Sequence, residues 1–236
     1  MAEALVLLPG TMSDARLFGP QIAELSSEMA VMVAPVTRGE RIEEIASGLL
    51  DLLPKRFALA GLSLGGIVAM EIMRRAPDRV ARIALMNTSP LAETPVVAAN
   101  REPQIVKARS GRLDEVMREQ IKPSSLAPGP YRGEVLDLAM DMARALGPEV
   151  FIRQSRALQR SKDQQVTLRK CKVPALVLCG AYDATYPVKR HEFMAELIPY
   201  AHLCVLENAG YLPTLEQPDE TTAALRAWLK QPFVLQ

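Results

Sequence analysis

The sequence contains little of what several common kinds of site require. Its only histidines are His191 and His202, and its three cysteines, Cys171, Cys179 and Cys204, form neither a CxxC pair nor a cluster with histidine. Structural and catalytic zinc sites are built from closely spaced residues of these types. The sequence therefore indicates no metal site, and we interpret the cysteines as inert core thiols, a common state for cysteine in apolar stretches.

Aromatic residues, excess charge and long apolar runs are also scarce. Aromatic side chains make up 5% of the chain and the formal net charge is +1, so neither base stacking nor a basic surface favours nucleic-acid binding. The longest apolar runs fall far short of the roughly 20 residues that a membrane span needs, and the N-terminus has no signal-peptide pattern. We expect a cytoplasmic protein, monomer or homodimer, that acts on a small molecule.

Strands and helices alternate in the first and last thirds of the chain. Continuous apolar runs that end at glycine or proline are typical of buried parallel strands, and apolar residues at helical spacing lie between them. This alternation predicts a parallel α/β sheet. The predicted strands are Ala4–Leu8, Ala30–Val36, Phe57–Leu62, Val80–Met86, Ala175–Cys179 and Leu203–Leu206, and the predicted helices are Arg41–Leu53, Gly65–Ala76, Lys189–Leu197 and Thr221–Leu229.

The middle of the chain has a different pattern. Residues 91–168 contain no convincing strand, and helical segments at about 96–109, 112–121, 131–146 and 148–160 are separated by glycine and proline. A helical block inside an α/β chain is typical of an insertion that covers the sheet. We predict a core formed by residues 1–90 and 169–236, with residues 91–168 as a helical cap.

The sharpest local signal is GLSLGG, residues 61–66, which contains the pattern G-x-S-x-G between a predicted strand and a predicted helix. This pattern holds a serine on a strained turn, and the small residues beside it allow neighbouring segments to approach. The helix N-terminus that follows favours developing negative charge. Ser63 is therefore a candidate nucleophile, and the alternative is a glycine-rich turn with an idle serine.

Two further loops follow predicted strands. LLPGTMSDARLF, residues 7–18, opens after Pro-Gly and can offer a backbone N–H to an oxyanion, from Thr11 or, second, Met12, together with the N–H of Leu64. CGAYDATYP, residues 179–187, contains Asp183, whose carboxylate can orient a base. Each loop is a weak signal alone, because an aspartate after a strand is often a turn former or helix cap.

Taken in order, these features resemble the α/β-hydrolase fold superfamily, in particular its small carboxylesterase and enol-lactonase branch. The resemblance covers nearly the whole chain and is poorly specific for substrate. It implies an α/β-hydrolase fold of about six mostly parallel strands flanked by helices, with no metal or organic cofactor. It also assigns Ser63 as nucleophile, Asp183 as orienting acid, and Leu64, Thr11 and Met12 as oxyanion-hole donors. Outside the G-x-S-x-G segment, the residues that match the superfamily motifs are Gly180, Asp183, Pro187, Gly210, Glu216 and Pro218.

One position departs from the superfamily pattern in a way that affects the chemistry. Where the motif G-H-x-x-x-x-E-x-P normally carries the base, this chain has Tyr211. His202 is expected at the wrong end of its strand, and His191 begins a helix near the correct face but points where packing dictates. A phenol titrates near pH 10, so only about one in a thousand is ionised at pH 7, and the nearby Asp183 carboxylate disfavours the phenolate further.

The sequence therefore predicts a serine hydrolase for a small carboxylic ester, thioester or lactone, impaired or atypical because of Tyr211. Three alternatives stay open: a binding protein with a hydrolase fold, an inactivated variant of an active enzyme, and a non-hydrolytic reaction with Tyr211 as acid. Polar residues of the cap could contact substrate, although solvated helix positions or ion pairs between cap and core fit them better. They are Gln154, Arg156, Arg160 and Asp163.

Overall fold

A computed structural model describes residues 3–233 of the chain. Its strands are β1 (Ala4–Leu8), β2 (Val31–Val33), β3 (Phe57–Leu62), β4 (Val80–Met86), β5 (Ala175–Gly180) and β6 (Ala201–Leu206). They form one sheet in the order β2-β1-β3-β4-β5-β6, and every neighbouring pair is parallel. The prediction of about six parallel strands is confirmed.

The helices are α1 (Gly19–Leu25), α2 (Ile42–Leu50), α3 (Leu64–Arg75), α4 (Pro95–Arg109), α5 (Leu113–Gln120), α6 (Arg132–Gln159), α7 (Gln165–Arg169), α8 (Val188–Leu197), α9 (Pro213–Glu216) and α10 (Pro218–Leu229). The short helices α1, α7 and α9 were not predicted, because each is too short to show a helical period. In the described part of the chain, no helix combines the length and the apolar character needed to cross a membrane.

The alternation of side chains along each strand builds two hydrophobic cores, one on each face of the sheet. In β1, Val6 and Leu8 pack on the face covered by α2, α3 and α8, whereas Leu5 and Leu7 pack on the face covered by α1 and α10. Because strands buried on both faces need apolar residues at successive positions, β1 and β3 are continuous apolar runs in the sequence, and β4 is apolar except for Arg82. Their bounds match the prediction.

Strand β2 is shorter than predicted. The apolar stretch 30–36 includes Ala34 and Val36, which are buried but lie beyond the three residues that pair with β1. Both pack into the core around α2, and the Ala34 N–H still donates to the Leu7 carbonyl of β1 at 3.0 Å. Apolar content alone therefore overestimated the length of this edge strand.

Residues 91–168 contain helices α4 to α7 and, among the described residues, no strand. Helix α6 is kinked at Gly147, whose φ is 78°, and Pro148 begins its second half. This kink accounts for the two helices that the sequence predicts on either side of it, because proline cannot continue the preceding hydrogen-bond ladder. Helices α4, α5 and α6 share a small hydrophobic core with Met12, which joins this helical segment to the loop after β1.

Candidate active site

The turn between β3 and α3 holds Ser63 in a strained conformation. Ser63 has φ 53° and ψ −116°, a region that non-glycine residues rarely occupy and that is found mainly at functional sites. Its N–H donates to the Met86 carbonyl at 2.9 Å, and its carbonyl accepts from the Thr88 hydroxyl at 2.7 Å. A Cβ on Gly65 would overlap the Leu8 backbone. The end of β4 and the loop after β1 therefore fix the turn that presents Ser63.

Two backbone N–H groups near the cavity, those of Leu64 and Thr11, make no backbone hydrogen bond within residues 3–233. Leu64 is the first residue of α3, so its N–H has no carbonyl four residues earlier within the helix. Thr11 lines the same cavity as Ser63, and neither its N–H nor that of Leu64 has a backbone acceptor within residues 3–233. The Met12 N–H, by contrast, donates to Gln154 Oε1 at 2.8 Å and is buried. The N–H of Met12, the second candidate for an oxyanion-hole donor, is therefore already engaged.

The carboxylate of Asp183 is buried and held by three donors. Asn87 Nδ2 donates to Oδ2 at 2.7 Å, and the N–H groups of Thr185 and Tyr186 donate to Oδ1 at 2.8 and 3.0 Å. Burial raises the pKa of Asp183 above its usual range, while these hydrogen bonds act in the opposite direction. Asn87 also donates to the Gly210 carbonyl at 3.0 Å, so one amide links the acid loop with the loop that carries Tyr211.

The loop after β6 brings Tyr211 to Ser63. The Tyr211 hydroxyl lies 2.8 Å from Ser63 Oγ, within hydrogen-bonding distance, with either atom able to donate. The side chain that replaces the expected base thus contacts the candidate nucleophile. Among residues 3–233, the hydrogen-bond partners of the Asp183 side chain do not include Tyr211. The serine and the phenol are paired, and the carboxylate is held separately.

Glu216 fixes the backbone on both sides of Tyr211. Its carboxylate accepts from the N–H groups of Gly210 and Leu212 at 2.9 and 2.8 Å, and from the N–H of Ala127 in the helical segment at 2.7 Å. The Tyr211 N–H donates to the Ser125 carbonyl at 2.9 Å. The sequence identified Glu216 only as part of a motif, and its role as a link between this loop and residues 125–127 emerges from the structure.

The environment of Tyr211 keeps its phenol protonated. Burial raises its pKa well above the ordinary value, the neighbouring Tyr186 and Asp183 raise it further, and the hydrogen bond from Ser63 opposes this only in part. At neutral pH the contact between Ser63 and Tyr211 is therefore a hydrogen bond between two neutral hydroxyls. Such a pair orients the serine but contains no group ready to accept its proton.

Neither histidine makes a hydrogen bond with Ser63 in the described part of the chain. His191 is fully buried: its Nε2 accepts from the Thr88 N–H at 3.2 Å, and its Nδ1 lies 3.3 Å from the Pro187 carbonyl. Burial lowers the pKa of His191 to about 4, so the ring is neutral at pH 7. His202 is exposed on β6, where it pairs in register with Leu176 near the start of β5. His191 thus holds the backbone at Thr88, next to the turn that carries Ser63, and His202 lies near the opposite end of the sheet strands.

A cavity of about 230 Å³ opens in front of these groups. Thr11, Ser63, Thr185, Tyr186 and Tyr211 line it on the side of the sheet. The opposite wall comes from the helical segment and consists of Val97, Asn100, Arg101, Gln104, Met117, Gln120, Ile121 and Leu158. The sequence pattern had singled out no residue of this opposite wall, because their helical spacing matches that of any amphipathic helix.

The four polar residues considered from the sequence lie elsewhere. Gln154 is buried and binds the Met12 N–H and the Val36 carbonyl. Arg156 pairs with Glu102, Arg160 lies 3.5 Å from Glu40, and Asp163 accepts from Gln165. None of them lines the cavity. Asp163 is exposed and Arg160 faces Glu40 outside the helical segment, as expected, whereas Gln154 is buried and Arg156 pairs within that segment, which the sequence did not predict.

Comparison with known proteins agrees with this architecture. A model of the alpha/beta hydrolase family matches residues 5–225, and the chain belongs to that family. A pimeloyl-[acyl-carrier protein] methyl ester esterase from Aromatoleum aromaticum is 29% identical over 196 residues, which cover 78% of each chain. This relative is an esterase, which supports hydrolase activity in this family member.

Two solved structures are similar over nearly the whole chain. A thermophilic esterase from Thermogutta terrifontis superposes with a TM-score of 0.89 at 27% identity, covering 98% of this chain and 91% of that one. The enol-lactonase from Burkholderia xenovorans LB400 superposes with a TM-score of 0.86 at 25% identity, covering 98% and 92%. The resemblance to esterases and enol-lactonases that the sequence suggested is confirmed.

Proposed function

We propose that this protein is a slow serine hydrolase of small carboxylic esters, thioesters or lactones. Ser63 is the nucleophile, the N–H groups of Leu64 and Thr11 stabilise the oxyanion, and Tyr211 occupies the position of the base. The observation that carries the proposal is the 2.8 Å contact between Ser63 Oγ and the Tyr211 hydroxyl at a strained strand-to-helix turn. The methyl ester and the enol-lactone named for its relatives belong to the same broad class of substrate.

The chemistry follows from the groups present. Ser63 Oγ attacks the carbonyl carbon, a C–O bond forms, and the carbonyl electrons move onto an oxygen that faces the Leu64 and Thr11 N–H groups. The serine proton has to leave at the same time, and a neutral phenol accepts it poorly. With about one phenol in a thousand ionised at pH 7, this step adds roughly 4 kcal/mol to the barrier, and burial of Tyr211 adds more. Turnover is therefore expected to be slow.

A second candidate function is a binding protein that has lost turnover. The protonated state of the Tyr211 phenol favours it, because a neutral hydroxyl is a poor acceptor for the serine proton. The strained conformation of Ser63 speaks for hydrolysis, since such strain persists only where the surrounding structure maintains it. An inactivated copy of an active enzyme would share both features.

Covalent labelling combined with turnover tests the proposal. The protein is treated with a fluorophosphonate, the labelled residue is located by mass spectrometry, and hydrolysis of an ester, thioester and lactone panel is measured. Ser63→Ala is the test variant, and Ser110→Ala, in the exposed turn after α4, is the matched control. We expect slow labelling at Ser63 and weak turnover that only Ser63→Ala removes.

Two other results would change the assignment. Labelling at Ser63 without turnover of any substrate would favour the binding protein. Absence of labelling, both in this chain and in a Tyr211→His variant that supplies an imidazole, would remove Ser63 as the nucleophile.

A further inference from the structure

We propose that the wall of the cavity around Arg101 selects substrates with a carboxylate at the end remote from the reacting carbonyl. This inference rests on the proposed function, because it assigns the substrate class of the same site. The residues that carry it lie in α4 and α5 and form the side of the cavity opposite Ser63.

Arg101 is the one charged side chain among the described residues that line the cavity. Only 15% of its side chain is exposed, so solvent screens its charge less than that of a surface arginine. Its partner is Glu93, 14% exposed, which does not line the cavity. Arg101, the positive partner of the ion pair, thus faces the cavity, and Glu93, the negative partner, lies outside the cavity lining.

The hydrogen bonds of the pair leave part of the guanidinium free. Arg101 donates from Nε to the two Glu93 oxygens at 2.9 and 2.8 Å, and from Nη2 to Glu93 Oε1. Within residues 3–233, Nη1 has no hydrogen-bond acceptor. The contacts with Glu93 hold the guanidinium in one orientation, so the remaining donors are already positioned for a ligand carboxylate.

The neighbours of Arg101 extend this polar end. Asn100, Gln104 and Gln120 contribute amides to the same wall, and Gln120 Nε2 donates to Gln104 Oε1 at 3.0 Å. Apolar side chains, Val97, Met117, Ile121 and Leu158, form the rest of this wall. A substrate that fits this lining has an ester near Ser63, a short apolar chain, and an acceptor-rich end against Arg101.

The charge of Arg101 also acts across the cavity. Burial raises the pKa of Tyr186 and of Tyr211, and the positive charge of Arg101 acts in the opposite direction on both. Arg101 lines the same cavity as Ser63 and Tyr211, so one molecule bound there can contact both the guanidinium and the reacting groups. The cavity of about 230 Å³ is below the range of roughly 300–1,000 Å³ that is usual for drug-sized ligands, which favours a small acyl group.

The test compares two ligands that differ in one functional group. The methyl monoester of glutaric acid carries a carboxylate, and the methyl ester of glutaric monoamide carries an isosteric, uncharged carboxamide. Binding of each is measured by calorimetry on the Ser63→Ala protein, and kcat/KM is measured in a Tyr211→His protein. We expect the carboxylate ligand to be preferred by about tenfold to a hundredfold, the usual range for a partly buried charge-assisted contact.

Variants then locate the preference. Arg101→Met should reduce it to less than about threefold while leaving the carboxamide ligand nearly unaffected. Arg109→Met removes the same charge from an exposed position of the same helix, away from the cavity, and should leave the preference intact. Melting curves check that each variant is folded, and Arg101→Gln repeats the test if Arg101→Met is not.

Each outcome decides between the two proposals. Equal binding of both ligands by the Ser63→Ala protein, or a preference that survives Arg101→Met and Arg101→Gln, would overturn the inference even if the esters are hydrolysed. Binding that prefers the carboxylate and depends on Arg101, without hydrolysis of either ester, would support the recognition site and count against the hydrolase.

Discussion

The loop that carries Ser63 and the loop that carries Tyr211 each contain a glycine pressed against another backbone segment. At the serine turn, a Cβ on Gly65 would overlap the Leu8 backbone, and in the tyrosine loop a Cβ on Gly210 would overlap Ser125 and Leu126. Both loops are also held by hydrogen bonds from neighbouring segments. In both loops, therefore, the backbone packs directly against the backbone of a neighbouring segment.

The two loops have similarly constrained backbones, but their side chains, Ser63 and Tyr211, differ in how well they suit catalysis. Ser63 lies in the strained conformation expected of a nucleophile, whereas Tyr211 places a protonated phenol where a base would be needed. Backbone geometry and side-chain chemistry are thus separable in this site. The loop at Tyr211 is held by its backbone contacts, while the pKa of its side chain is too high for a base at neutral pH.

Substitution of the two glycines should have the largest effect. We expect Gly65→Ala and Gly210→Ala each to destabilise the fold by several kcal/mol, a large part of a typical stability of about 5–15 kcal/mol, because backbone cannot move aside as a side chain can. Urea unfolding measures this, with Gly133→Ala in α6 as control, where the added Cβ meets open space. Tolerance of Gly210→Ala alone would show that the tyrosine loop is less constrained than the serine turn.

The next largest effect concerns Asp183 and depends on its neighbour. In the present chain Asp183→Asn should change turnover by less than about threefold, because the phenol of Tyr211 makes no hydrogen bond with the carboxylate. In a Tyr211→His chain the same change should reduce kcat by about 10³–10⁴, since an orienting carboxylate matters once an imidazole is present.

Steady-state kinetics of the four proteins, each with a melting curve, tests this coupling. A large loss in the present chain would mean that Asp183 already assists Tyr211, and the separation of the two groups would then be wrong.

A smaller effect is expected from His191. Its pKa is about 4 in the folded protein and near 6.5 when unfolded, so the unfolded chain binds more protons between these values. Stability should therefore decrease as pH falls from 6.5 towards 4, by about 2 kcal/mol at pH 5 relative to pH 7.5. Urea unfolding at the two pH values should show this loss reduced in His191→Gln and unchanged in His202→Gln. An unchanged loss in His191→Gln would place the titrating group elsewhere.

Much of the fold could be predicted because both faces of the sheet are covered. Strands such as β1 and β3 are continuous apolar runs, and their bounds follow directly from that. Edge strands carry less of this signal: β2 was predicted too long because Ala34 and Val36 are buried although they lie outside the three residues in register with β1. Short helices such as α1 show too few turns for a period to be visible.

The site was predictable only where a local motif fixes the backbone. The turn at Ser63 and the loop at Tyr211 are recognisable because glycines and a following helix impose fixed spacing. Asn87 and Arg101 were missed because no sequence motif links either residue to its hydrogen-bond partner. Tertiary packing brings Asp183 to Asn87, and Glu93 lies just before α4, eight residues from Arg101. The engagement of the Met12 N–H by Gln154 was missed for the same reason, because 142 residues separate them.

The central claim is that the loop at Tyr211 is intact and only its side chain limits the chemistry. The most direct test is kcat/KM on one activated ester for this chain, Tyr211→His and Tyr211→Phe. We predict a gain of at least about a thousandfold for Tyr211→His, the factor by which ionised phenol is scarce at pH 7, and a loss of turnover for Tyr211→Phe, which removes the poor acceptor of the serine proton. No gain in Tyr211→His, or unchanged turnover in Tyr211→Phe, would contradict it.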